Sequence, residues 1–171
     1  MTGREGRDRL AVNFMGDRIE INGEVYKPQN PGKKKTDYYY QGVFYDTIEE
    51  LWVAKMLHWM QIPFLHHVKF EFYSQGVKNE KLIWCPDFIF AYPFRWVGER
   101  CNGSVIIGVE VKRTKTNGRP RRKSRHLLKA RSIPILLINR QDIEPHLNKR
   151  DMELPLKPLD EYQELYLAQA G

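Results

Sequence analysis

Hydrophobic and polar positions along this chain repeat with two periods, and the switches between them mark out its elements. Arg18-Ile-Glu-Ile-Asn-Gly-Glu-Val-Tyr26 alternates on both sides of Asn22-Gly23, which predicts a β-hairpin turning at that pair. The fifteen residues at the N-terminus carry no such pattern and are expected to form a mobile arm. Residues 28–36 predict a loop, with Lys33, Lys34 and Lys35 placed to touch phosphate. The aromatic run Tyr38–Tyr45 predicts a strand whose rings pack on a sheet rather than form a base-stacking platform. Asp46 or Thr47 then caps a helix reaching about Met60, with Glu49 or Glu50 completing a capping box in its first turn.

After the break at Gln61-Ile-Pro63, strict alternation returns in His67–Tyr73, which predicts a strand followed by a polar loop over 74–80. Leu82–Phe90 is β-rich, but Pro86 cannot donate to a ladder, so an edge or a bulge is expected beside Asp87. Residues 93–103 predict a loop or an elaborated connection. Ser104–Lys112 predicts a strand with Val105, Ile107, Val109 and Val111 on one face and Ile106, Gly108, Glu110 and Lys112 on the other. Pro120–Arg131, with Leu127, Leu128 and Ala130 as its apolar residues, predicts a helix lying on the sheet with a basic outer side. Ile133–Ile138 predicts a buried strand, and 160–168 a short C-terminal helix that packs back or mediates dimerisation.

Length and composition narrow the class. At 171 residues, 42% of them hydrophobic, the chain has room for one domain with a real core. No run of 18 apolar residues offers a membrane span, and Met1–Arg9 lacks the apolar stretch of a secretory signal, so an intracellular location is expected, cytoplasmic or nucleoid-associated. Cys85 and Cys101 lack metal-ligand spacing and are expected to stay reduced. The adjacent His66 and His67 are read as structural, because neighbours on a strand point to opposite faces.

The net charge of +7 is concentrated in one place. Lys112–Arg131 holds ten Lys or Arg and no acid, leaving eighteen basic against twenty-one acidic residues elsewhere. Such a stretch is a footprint for a polyanion, nucleic acid rather than membrane. It contains no aromatic residue, which favours contact with a duplex backbone over single-strand capture.

The candidate chemistry stands at its border. Asp87, Glu110 and Lys112 are charged residues on segments that otherwise read as buried strands, which is costly unless they are paired or bound to metal. Glu49 and Glu50 both lie near the apolar stripe of the preceding helix, and periodicity does not choose between them.

Helix with an acidic first turn, strand, Pro-Asp strand, Glu-x-Lys strand, helix, strand: this order resembles the PD-(D/E)XK nuclease superfamily over residues 43–140. Tyr45-Asp-Thr-Ile-Glu-Glu-Leu-Trp-Val-Ala54 is similar to that family's aromatic-x-Ser-x-x-Glu-x-x-aromatic-Ala helix, with Val53 at the aromatic position. Trp84-Cys-Pro-Asp-Phe88 and Val109-Glu-Val-Lys-Arg113 resemble its Pro-Asp and Glu-x-Lys segments.

The resemblance implies an α/β, restriction-endonuclease-like mixed central sheet flanked by helices. Residues 1–42 would be an arm and hairpin extension, 43–140 the core, and 141–171 a C-terminal tail with a short helix. It favours Glu50 over Glu49 and implies a catalytic set of Glu50, Asp87, Glu110 and Lys112. Mg²⁺ or Mn²⁺ would sit on Asp87, Glu110, the Val111 carbonyl and Glu50. Arg113, Lys115, Arg119, Arg121, Arg122, Lys123, Arg125 and Lys129 would hold double-stranded DNA. The implied function is a metal-dependent DNA endonuclease, as a homodimer or a subunit of a larger DNA-processing complex. A transposase nuclease subunit, a junction resolvase and a non-catalytic nucleic-acid-binding module are the alternatives, and an RNA-directed nuclease would carry the same residues.

Overall fold

Asn22 and Gly23 adopt φ values of 53° and 89°, the pair of left-handed residues that a tight hairpin turn needs, and they join β2 (Ile19–Ile21) to β3 (Glu24–Tyr26). The computed structural model describes residues 10–29, 35–76, 78–112, 119–147 and 152–170. Lys33 and Lys34 fall outside these residues, as do Arg113 and Lys115. Residues 1–9 of the expected N-terminal arm also lie outside them, and its later part is corrected, because Val12–Phe14 forms β1 and pairs antiparallel with β2. The aromatic run is a hairpin rather than one strand: β4 (Tyr38–Tyr40) and β5 (Val43–Tyr45) turn at Gln41-Gly42, both with positive φ. Helix α1 follows as Ile48–Trp59.

Of the strand expected over His67–Tyr73, only the part from Phe70 onward forms. β6 (Phe64–His66) ends where His67 takes φ 58°, and β7 (Phe70–Tyr73) starts afresh and pairs with β8 (Lys81–Trp84). The β-rich run around Asp87 is likewise divided. Cys85, Pro86 and Asp87 link β8 to β9 (Phe88–Trp96), so Asp87 stands at the mouth of a strand rather than inside one. Because β9 continues to Trp96, the loop expected over 93–103 begins four residues late.

Strand β10 (Val105–Lys112) pairs antiparallel with β9 and parallel with β11 (Ile135–Asn139), with α2 (Arg119–Arg131) as the crossover. β6 and β12 (Leu156–Pro158) share the other edge of β9, at its two ends. The central sheet is therefore mixed, five strands ordered β11-β10-β9-β12 with β6 beside β9. α3 (Arg140–Leu147) follows β11, and a 3₁₀ turn at Asp160–Tyr162 leads into α4 (Gln163–Ala170). The residues from 141 onward thus supply a strand of the central sheet and bury Ile143, Leu154 and Leu156 in the core. Among the described residues, no helix is long and apolar enough to cross a membrane.

Two apolar layers cover the sheet. Val53, Met56 and Leu57 of α1 pack with Phe88, Phe90, Val109 and Val111 on one face. Leu127 of α2, with Phe70, Phe72 and Trp84, covers Ile89, Ile107 and Ile135 on the other. The simple alternation expected for β10 is broken at a register shift between Ile106 and Gly108, which puts Ile106 in the same layer as Val109 and Val111. Gly108 permits this. A Cβ there would lie 2.2 Å from the Phe88 carbonyl oxygen and 2.8 Å from Ile89 Cδ1. Gly108→Ala is expected to destabilise the protein by about 3 kcal/mol through that overlap, a loss that chemical denaturation would report.

Candidate metal centre

The close approach at Gly108 brings the start of β9 against the end of β10, and the candidate residues collect there. Where β9 gives out, the Asp87 side chain takes over as partner: its Oδ2 accepts the Val111 N–H at 2.7 Å. A strand residue presents its N–H and C=O along one edge, so the Val111 carbonyl is directed toward Asp87 as well. Glu110 Oε2 accepts the Trp84 indole N–H at 2.8 Å, and Lys112 Nζ lies 3.9 Å from Glu110 Oε1. Glu110 and Lys112 therefore share a face, as the period-2 pattern requires.

From the other side comes the first turn of α1. Thr47 is the N-cap and accepts the Glu50 N–H, while Glu50 Oε2 accepts the Asp46 N–H at 2.9 Å. Glu50 is both the capping carboxylate and the one that faces Asp87. Glu49 turns away to the Arg140 guanidinium, 3.7 Å distant, which also lies over the Trp52 ring. This divides the two neighbours: Glu50 belongs to the site, and Glu49 ties α1 to α3.

His67 is the residue that sequence reasoning missed. Its left-handed backbone removes it from the strand, so its ring stacks on His66 at 3.7 Å instead of pointing to the opposite face. Nε2 of His67 reaches Asp87 Oδ1 at 3.3 Å. The donor atoms of Glu50, His67 and Asp87 all lie within 4.8 Å of one another, close enough to share an ion. The sequence hint was slight: histidine tolerates positive φ better than most residues.

The electrostatics suit a cation. Glu50, Asp87 and Glu110 are 5%, 4% and 6% exposed. Burial is the first cause that raises all three carboxyls above their ordinary range. The repulsion of Asp87 adds to it for Glu110, which is pushed up to about 9 even though Lys112 and the Trp84 indole oppose the rise. Three carboxyls packed together with one imidazole and one ammonium form a donor set short of positive charge, one that could hold a divalent ion.

The pH dependence follows from these shifts. A carboxyl whose folded pKa is raised keeps its proton in the native state above the pH at which the unfolded chain has released it, so stability falls as pH rises through that window. His66, lowered to about 3 by burial and by His67, acts oppositely but only below its ordinary value of 6.5. From pH 7 to 8.5, therefore, metal-free protein is expected to lose thermal stability, and Mn²⁺ or Mg²⁺ to abolish that loss. Differential scanning fluorimetry with and without the ion checks both halves.

The basic helix divides into two sets. Arg122 pairs with Glu80 at 3.2 Å, Lys123 Nζ donates to the Ile83 carbonyl at 3.0 Å, and Arg131 bonds Glu24 at 2.5 Å. These three fasten α2 to the β8 region and the N-terminal hairpin, so Arg122 and Lys123 are not standing clear for phosphate. Arg121, Arg125 and Lys129, four residues apart, form an exposed stripe, and Arg119 is exposed at the first position of the helix. No family model, curated protein or solved structure matches the chain.

Proposed function

We propose that this chain is a divalent-metal-dependent endonuclease of the PD-(D/E)XK type, hydrolysing phosphodiester bonds in DNA. The observation that carries the reading is the placement of Asp87, Glu110 and Lys112 together at one strand end with Glu50 and His67. A site of three buried carboxyls is unstable as a purely structural device and well suited to holding an ion.

Asp87, Glu50 and His67 would hold the ion, with Glu110 and the Val111 carbonyl completing an oxygen-rich set. The imidazole favours Mn²⁺ over Mg²⁺, because magnesium prefers oxygen alone. The ion, when bound, supplies Lewis-acid activation of the phosphoryl group and a water of lowered pKa. Lys112 contributes an ammonium that orients the attacking water and stabilises charge developing on the phosphate oxygens. Trp84 holds Glu110 in place through its indole N–H, and the Val111 N–H does the same for Asp87. Phosphates flanking the cut would lie along Arg119, Arg121, Arg125 and Lys129.

Incubating the protein with supercoiled, linear and branched DNA and with RNA, each with Mn²⁺, Mg²⁺ or EDTA, tests the proposal. Metal-dependent cutting of a DNA substrate is expected. Cutting that persists in EDTA would refute it, and binding without any cutting would favour a nucleic-acid-binding module. In the binding arm, Arg121→Ala and Arg125→Ala are each expected to lower the slope of log affinity against log salt by about one, whereas Arg122→Ala leaves it nearly unchanged.

A further inference from the structure

Beside the metal centre, on the α1 side of the sheet, a cavity of about 320 Å³ lies between the β4–β5 hairpin, α1 and β6. Its walls include the rings of Tyr40, Tyr45 and Phe64, with Gln41, His58 and His66 as polar groups and no carboxylate. Two wall residues connect it to the site. Tyr45 immediately precedes Asp46, whose N–H holds Glu50, and His66 precedes His67, which holds Asp87.

Several features give this cavity the character of a receptor. The Gln41-Gly42 turn folds over it so that Gln41 Nε2 meets His58 Nε2 at 3.1 Å. Nε2 of His66 is buried with no hydrogen-bond partner among the described residues. At the rim, the exposed Lys55 places its ammonium 5.6 Å from the Tyr40 ring centre, where it can meet a phosphate. The volume is at the small end of the range for ligand sites. Flat aromatic walls with amide and imidazole hydrogen-bonding groups fit a planar heterocycle, and the basic rim fits the chain that carries it.

We infer that this cavity receives one unstacked nucleobase of the strand being cut, so that the favoured substrate has an unpaired nucleotide next to the scissile phosphate. The inference rests on the phosphodiesterase reading. It also departs from the duplex preference drawn from the basic segment, whose helix covers the opposite face of the sheet from the cavity. Removing a base from a stack costs least where it is already mismatched or single-stranded, and that difference becomes selectivity.

The test uses the full chain and three DNAs of one sequence: a perfect duplex, the same duplex with one unpaired nucleotide, and the single strand. Binding is followed by anisotropy in Ca²⁺ and cutting in Mn²⁺. The wild type is expected to favour the DNAs with an unpaired nucleotide by about tenfold or more, as one base–aromatic stack provides. Val43→Trp, which fills the cavity, and Tyr40→Ala, which removes a wall, should each abolish that preference and leave duplex affinity unchanged. Equal cutting of duplex and unpaired DNA by the wild type, or a preference that survives both variants, would overturn the base pocket and leave the nuclease reading intact. If no DNA is cut in any metal, the nuclease reading itself fails and the pocket falls with it.

Discussion

Asp87→Asn is expected to lower metal-dependent cutting by about a thousandfold or more while making the metal-free protein more stable. The loss of activity follows because Asp87 bridges the whole site, touching His67, Glu50, Glu110 and the Val111 N–H. The gain in stability follows from the same position. Asparagine keeps an oxygen for the Val111 N–H and turns a repelling carboxyl into an amide that can donate to its acidic neighbours. Relief of that repulsion is expected to raise the thermal midpoint by roughly 4 °C, the shift that 1–2 kcal/mol produces at this chain length. Asp87→Ala separates the two effects: it leaves the Val111 N–H without its partner and is expected to lower the midpoint instead. A residue whose conservative replacement stabilises the fold while abolishing activity is present for function. Stability unchanged or reduced in Asp87→Asn would mean that this carboxylate is structural.

Lys112→Ala is expected to reduce turnover by about 10²–10⁴-fold with little change in DNA affinity, the signature of a group that acts on charge developing in the transition state. The Lys112 side chain is 38% exposed, so its truncation does not open the core. Lys112→Arg is not expected to restore the rate, because a planar guanidinium cannot replace a compact ammonium directed at a single oxygen. A second consequence distinguishes this lysine from the cations of α2. Lys112 opposes the rise of Glu110, so removing it drives Glu110 further toward its protonated form and weakens Mn²⁺ binding at neutral pH. Isothermal calorimetry at pH 7 and pH 8.5 would detect the difference, with the deficit of Lys112→Ala shrinking at the higher pH.

The parts of this site that could be read in the sequence are those governed by strand period and local capping. Glu110 and Lys112 share a face because they are two residues apart on one strand, and Pro86 announced a break in pairing beside Asp87. Thr47 and Glu50 formed a recognisable cap. The rest depends on long-range packing. The bulge at Gly108, set by the approach of the Phe88 carbonyl, changed which residues of β10 face α1. His67 entered the site only because β6 ends one residue before it, and alternation running through His67–Tyr73 concealed that end. Glu49 and Glu50 were separated by Arg140, a residue ninety positions away on a helix that contains Pro145 and lacks a clear apolar stripe. β12 is three residues long and is a strand only because β9 lies beside it.

The most direct measurement places supercoiled DNA with the wild-type chain and with Asp87→Asn, each in Mn²⁺ and in EDTA, and follows conversion to nicked and linear forms. The expected result is conversion by the wild type in Mn²⁺ alone. Conversion by the wild type in EDTA, or by Asp87→Asn at the wild-type rate, would contradict a metal-dependent nuclease centred on Asp87.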